Sequence, residues 1–400
     1  MDPGVPELLA AIRERIDGGG PLRFDRFMEM ALYHPAHGYY CRPGMTTGAA
    51  GDFYTSPDVH SAFGELLARQ VAQIADLSGG GPFRVVEMGP GSGRLARDLA
   101  AALCRSRPDV AGRATLTLVE ISPALRRAQA ALLEGTGPGP GGPWIEWASW
   151  EEVAARAQRE GFRGCVVANE FLDALPVRRV ERRGGRLLEV HVSCGEGRLE
   201  ETLLPPEDGA PREWLEALGV ELSEGQRADL GLAARDWIRR LGALLRQGTG
   251  GAVIVDYGHP ASRLYGPGRD AGTLMCYAGH RAQGGGGDPY EGVGRKDMTA
   301  HVDLTTIAAA AREAGLDVAG PISQMRFLVS LGIASMLAGL GSRPDAASAG
   351  PTRERLALHA LIAPGGMGEV FQVLLMARGF PARSLIGARD PFRAARGDAA

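Results

Sequence analysis

Lysine is nearly missing from this chain of 400 residues: Lys296 stands alone, and every other basic side chain apart from histidine is arginine. With abundant Ala and Gly, that bias matches GC-rich bacterial codon usage and hints at source rather than fold. Paired cysteines are missing too. Cys41, Cys104, Cys165, Cys194 and Cys276 are scattered, odd in number and never spaced as Cys-x-x-Cys, which argues against a disulfide framework and a cysteine-based zinc site. No apolar run reaches the length that crosses a bilayer. The first residues carry Asp2, Glu7 and Glu14 where a signal or transit peptide would be apolar or free of acids. The expectation is a cytoplasmic protein with no membrane partner. Excess positive charge is also lacking: the formal net charge is -3, so no global field draws in nucleic acid. There is no internal repeat.

What is present suits a globular chain. Hydrophobic residues make up 44% and charged residues 23%, enough apolar surface for a sizeable core. The length fits two or three domain-sized units, or one domain with large insertions.

The chain is organised around residues 83–99. A short apolar run reads as a buried parallel strand closed by Glu87. Gly89, Gly91 and Gly93 then turn the backbone, and from Arg94 the apolar positions recur at helical spacing. Strand, glycine turn and helix make a nucleotide-type site with helix N–H groups facing the ligand. The dinucleotide fingerprint would need a third glycine where Arg94 stands. An acid before the turn repels a pyrophosphate and attracts a cationic, phosphate-free ligand such as S-adenosylmethionine. The next strand, 114–119, ends in Glu120, whose carboxylate can accept from both ribose hydroxyls. The competing reading is a structural glycine turn without a cofactor.

Residues 1–80 read as an N-terminal helical and lid region, with helices over 6–16, 26–32 and 61–77. Between them lie two loops bearing Tyr39, Tyr40, Phe53 and Tyr54. Each of these aromatics alone has a core position as its alternative, whereas the 52–57 loop as a whole suits a site. Residues 81–378 read as the main domain, with sheet strands at 144–147, 164–168, 252–255, 317–322 and 369–376. Asn169, Glu170 and Asp173 follow the fourth strand and fall at the carboxyl end of the sheet, where ligands bind in doubly wound folds. Residues 177–250 read as an insertion: a hairpin whose arginines form a solvated face, then mostly helix. Glycine-rich stretches at 135–143 and 284–287 read as exposed loops. Residues 325–340 read as a helix, and 379–400 as a flexible tail without an apolar face.

The ordered motifs carry a resemblance. They are Phe27-Met28; His34-Pro35-x-x-Gly38-Tyr39-Tyr40; Gly51-Asp52-Phe53-x-Thr55-Ser56-Pro57; Phe63-Gly64-Glu65-Leu66; Glu87-x-Gly89-Pro90-Gly91-x-Gly93; Leu118-Val119-Glu120-Ile121-Ser122-Pro123; Ala168-Asn169-Glu170-Phe171-Leu172-Asp173-Ala174-Leu175-Pro176-Val177; Asp256-Tyr257-Gly258; Thr299-Ala300-His301-Val302-Asp303; and Met367-Gly368-Glu369-x-Phe371. Over roughly residues 20–378 the chain resembles the MidA-like methyltransferases, relatives of the mitochondrial arginine methyltransferase that assists assembly of respiratory complex I. The resemblance implies an α/β fold: a Rossmann-like class I S-adenosylmethionine-dependent methyltransferase core with an N-terminal helical addition and a β-hairpin/helical insertion. It implies methyl transfer from S-adenosyl-L-methionine to an arginine guanidinium; because nothing in the sequence identifies a complex I subunit as substrate, free L-arginine or another small guanidine stays open beside a protein arginine.

On this reading Glu87, Gly89, Gly91, Gly93, Glu120, Ile121, Asn169, Thr55 and Pro57 face the cofactor. Tyr39, Asp52, Phe53, Tyr54, Glu65, Tyr257 and Asp303 face the acceptor. A guanidinium is a poor nucleophile because its lone pair is delocalised and it is protonated, so carboxylates must fix its plane and carry its charge. Glu170 is the first candidate, followed by Asp173, Asp256 and Asp52, with His259 or His301 to relay the proton. Asp173 has a helix N-cap as its alternative role, and each histidine a structural one. His34 and His37 have helical metal-ligand spacing, but Pro35 and Gly38 break that helix, and no metal is assigned. Two other functions stay open: an assembly factor that acts by binding a partner, and a methyltransferase of a small molecule without a guanidine. A homodimer is also open.

Overall fold

The computed structural model describes residues 2–42, 55–136, 144–278, 281–282, 287–342 and 349–392. Its central sheet runs, in spatial order, Asp317–Ser323, Phe371–Arg378, Gly248–His259, Phe162–Asn169, Phe83–Met88, Ala114–Val119 and Trp144–Trp147. Phe371–Arg378 is antiparallel to both its neighbours, and the other pairs are parallel. The chain winds outward from Phe83–Met88 in one direction and from Phe162–Asn169 in the other. The crevice between these two paired strands is where a doubly wound sheet binds its ligand.

The strands are apolar on both faces because both faces are covered. Val85, Cys165, Val167, Val253, Val255, Val373 and Leu375 belong to one core, with the helices Ala62–Leu77 and Arg94–Ser106. Val86, Val166, Ala168, Ala252, Ile254, Leu374 and Met376 belong to the opposite core, with Trp150–Glu160, Leu232–Leu245 and Leu304–Glu313. Alternate residues thus serve alternate layers, as the two-residue repeat of a strand requires.

Above the carboxyl ends lies a second layer. Arg178–Arg183 and Arg186–Gly195 form the expected hairpin, joined by Arg198–Leu204, Arg227–Leu230 and the N-terminal Leu22–Arg23. The N-terminal segment and the insertion therefore build one antiparallel sheet. Leu9, Ile12, Phe24, Phe27 and Met28 of the helices Pro6–Gly19 and Phe24–Tyr33 share a core with Val190 and Val192.

Three expectations need correction. The arginines of the hairpin form a solvated face only near its turn, where Arg183 and Arg186 are exposed. Arg178 and Arg179 are buried, Arg178 against buried Glu189 and Arg179 against Asp229, its register partner across the sheet, at 2.7 Å. The helix over 325–340 is broken at Gly332, φ 102°, into Gln324–Leu331 and Ile333–Gly341, bent by 67°. Residues 379–392 are packed rather than loose. Ala382 and Leu385 are fully buried, and Gln73 and Gln70 accept from the backbone N–H groups of Ile386 and Gly387.

Candidate active site

The turn after Phe83–Met88 has φ of 57°, 52° and 80° at Gly89, Gly91 and Gly93, a region L side chains rarely enter. A Cβ on Gly93 would lie 3.1 Å from Gln129 Cγ. Gln129, fully buried, locks the turn to the neighbouring strand. Its Nε2 donates to the Gly91 carbonyl at 2.8 Å and to Glu120 Oε2 at 3.3 Å, and its Oε1 accepts from Trp147 Nε1 at 2.8 Å.

This turn opens on a cavity of about 910 Å³. Glu87, Gly89, Gly91, Glu120, Ile121, Thr55 and Pro57 all line it. Burial, and then the nearby Glu120, push the Glu87 carboxyl up to about 8. Burial raises Glu120 as well, against hydrogen bonds from the Ser122 N–H at 2.8 Å and from Gln129. Gly93 lies outside the cavity wall and begins the helix Arg94–Ser106.

Asn169, Glu170 and Asp173 line the same cavity. Glu170 has φ 51°, a strained backbone for a non-glycine residue. Its Oε1 accepts from Asn169 Nδ2 at 3.3 Å and from the Ser56 N–H at 3.4 Å. Burial and then Asp173 raise its pKa to about 8. Burial raises Asp173 to about 6, against a hydrogen bond from the Tyr257 hydroxyl. Residues 170–176 form turns and no helix, so Asp173 caps nothing. Among the described residues, nothing donates to the buried Asn169 Oδ1 and Asp173 Oδ1.

The remaining expectations divide. Tyr257 and His301 line the cavity. Burial and then Arg269 lower His301 to about 4, so it is neutral at pH 7. His259 stands behind it, ring centroids 5.5 Å apart, off the wall. Asp256 is also off the wall and 1% exposed, its oxygens taken by backbone N–H groups; it is not a group at the reaction centre. Tyr39 is fully buried in the N-terminal core rather than in a lid. Glu65 faces Arg105 at 3.4 Å, outside the cavity. Asp303 caps Leu304–Glu313 by accepting from the Thr305 and Thr306 N–H groups. Asp52, Phe53 and Tyr54 lie outside the described residues, as does most of 135–143 and 284–287.

Sequence reasoning missed several wall residues. Asp58 directly follows the 52–57 loop already singled out, and Asp297 and Thr299 stand four and two residues before His301, so proximity to a motif was an available signal. Tyr33, Tyr277, Trp150 and Trp237 also line the cavity and carry no local pattern. Tyr40 donates to Asp297 Oδ1 at 2.7 Å.

The wall is acidic: Glu29, Asp58, Glu87, Glu120, Glu151, Glu170, Asp173 and Asp297 against Arg126 and Arg240. An acceptor-rich pocket with donor-less oxygens on Asn169 and Asp173 fits a ligand bearing hydroxyls, an ammonium and a sulfonium, and does not fit a pyrophosphate. Together with the sheet order, this site defines a class of protein: an S-adenosylmethionine-dependent methyltransferase with a Rossmann-like fold. A family model described as "Putative S-adenosyl-L-methionine-dependent methyltransferase" matches residues 66–322, and the chain belongs to that family. It is 30% identical over 392 residues to the mitochondrial protein arginine methyltransferase NDUFAF7 of Danio rerio, covering 91% of this chain and 85% of that one. It is 29% identical to the Drosophila melanogaster homologue, covering 82% and 75%. A Burkholderia thailandensis protein crystallised with S-adenosyl-homocysteine superposes with a TM-score of 0.80 at 34% identity, covering 96% of this chain and 94% of that one.

Proposed function

We propose that this methyltransferase acts on an arginine guanidinium, in a protein or as the free amino acid. The observation that carries the reading is a pair of carboxylates on one short turn at the sheet's carboxyl end, half-buried Glu170 and buried Asp173, both in the cavity wall. A planar cation with several N–H donors is the acceptor such a pair suits. The names of the relatives support the same acceptor.

The cofactor supplies an electrophilic methyl group on a sulfonium. Glu120 would hold the ribose hydroxyls, and Glu87 and Asn169 the positively charged end. In the transfer the S–CH3 bond would break with its electron pair left on sulfur, so two cations would become S-adenosyl-homocysteine and one methylated guanidinium, and one proton must be released. Glu170 binds the guanidinium as its ion and orients one nitrogen toward the methyl. Its raised pKa then suits it to accept the proton as the new N–C bond forms. Tyr257 steadies Asp173, which shares the acceptor's charge.

The test is incubation of the purified chain with S-adenosylmethionine and a panel of free arginine, arginine peptides and lysine peptides. Methylation of guanidino nitrogens alone supports the reading; methylation of another acceptor class rejects it.

A further inference from the structure

Asp256 serves the site without reaching its cavity. Its Oδ2 accepts from the N–H groups of Phe171 at 3.2 Å, Leu172 at 2.8 Å and Asp173 at 3.3 Å, and its Oδ1 from its neighbour Tyr257 N–H at 2.9 Å. One residue earlier on the same strand, the Val255 carbonyl accepts from the Glu170 N–H at 2.7 Å. Strand Gly248–His259 therefore holds every N–H from Glu170 to Asp173, the last three through a single carboxylate. The turn so gripped begins with the strained backbone of Glu170, φ 51°. Such strain persists only where the surroundings over-determine it. Removing the carboxylate would leave buried donors unmatched, which is costly, and would free the turn to relax.

We infer that Asp256 is a positioning residue. Its carboxylate fixes the backbone of 170–173 so that Glu170 and Asp173 project into the cavity, and it acts on methyl transfer only through them. The inference rests on the reading of Glu170 and Asp173 as the acceptor-binding carboxylates. An asparagine at 256 keeps one oxygen but turns an NH₂ donor toward either the turn or the Tyr257 N–H, so it can satisfy only one side.

The experiment pairs amide hydrogen exchange with a mutant cycle, using the full chain with S-adenosyl-homocysteine bound. In Asp256→Ala, amides 171–173 should exchange at least about tenfold faster, with Asp256→Asn intermediate. Affinity for S-adenosyl-homocysteine should change less than about threefold in either. With an arginine acceptor, kcat should fall roughly 100-fold in Asp256→Ala, while the same change in a Glu170→Gln background should cost less than about threefold more. If Asp256→Ala does not fold, Asp256→Asn carries both arms. Exchange unaltered at 171–173 overturns the inference, as do additive losses of turnover in the cycle. If the wild-type chain methylates no guanidine, the acceptor reading fails, and the exchange arm alone still decides Asp256.

Discussion

Glu170 is a carboxyl group that burial keeps largely protonated near neutrality. Its pKa of about 8 means the free enzyme gains the anion proposed to bind the guanidinium only as pH rises. kcat/KM should therefore climb about tenfold per unit up to roughly pH 8 and then level off, since that ratio reports the free enzyme. Glu170→Gln should remove the climb and most of the turnover, with cofactor affinity nearly intact; a pH–rate profile on both proteins checks this. Glu120→Ala should instead weaken cofactor binding, measured by calorimetry, and normal affinity would count against its ribose role. Stability follows the same groups. Glu87 and Glu170 each rise from an ordinary value of 4.5 to about 8, so between those values the folded state holds protons the unfolded state has lost. Their contribution favours the fold below about 4.5 and is lost as pH rises through 8. A cationic ligand favours the ionised forms. The melting-temperature gain from S-adenosylmethionine should grow from pH 6 to pH 9, and grow less for S-adenosyl-homocysteine, which lacks the sulfonium. Equal growth for both would contradict the electrostatic role of these acids. Glu87 and Glu120 were legible because each stands at the end of an apolar run beside the turn. Asp256 looks the same in sequence. Only the N–H groups of a distant segment reveal that its oxygens are already spoken for.

At the scale of elements, the central strands were readable because strands buried on both faces leave continuous apolar runs. The auxiliary sheet was not. Its strand Arg227–Leu230 interrupts a stretch expected to be helical, and its inward charges imitate a solvated surface. Arg179 is buried with Asp229 opposite it in register, and that pairing is a property of two segments. Arg179→Met should leave Asp229 as an uncompensated buried charge and cost about 3–5 kcal/mol, read by chemical denaturation; the loss of a surface pair would cost under about 1 kcal/mol.

For the whole molecule, the cavity sits where the glycine turn and the 169–176 segment of the central sheet meet the N-terminal helix Phe24–Tyr33 and the segment Asp297–Thr299. The turn and its acids could be seen in one dimension. The far wall, with Tyr33, Tyr277 and Asp297, comes from stretches far apart in the chain. The segment after Phe371–Arg378 was misread for a similar reason, since its few apolar residues find their partners only in the folded chain. Leu385→Ala should cost about 2–5 kcal/mol, the range for emptying a buried leucine site, whereas a loose tail would lose nothing measurable. The most direct measurement of the proposed function is mass spectrometry of free arginine and an arginine peptide after incubation with the purified chain and methyl-deuterated S-adenosylmethionine. The expected result is a deuterated methyl group on a guanidino nitrogen, lost in Glu170→Gln. A chain that binds S-adenosyl-homocysteine normally yet labels no guanidine would contradict it.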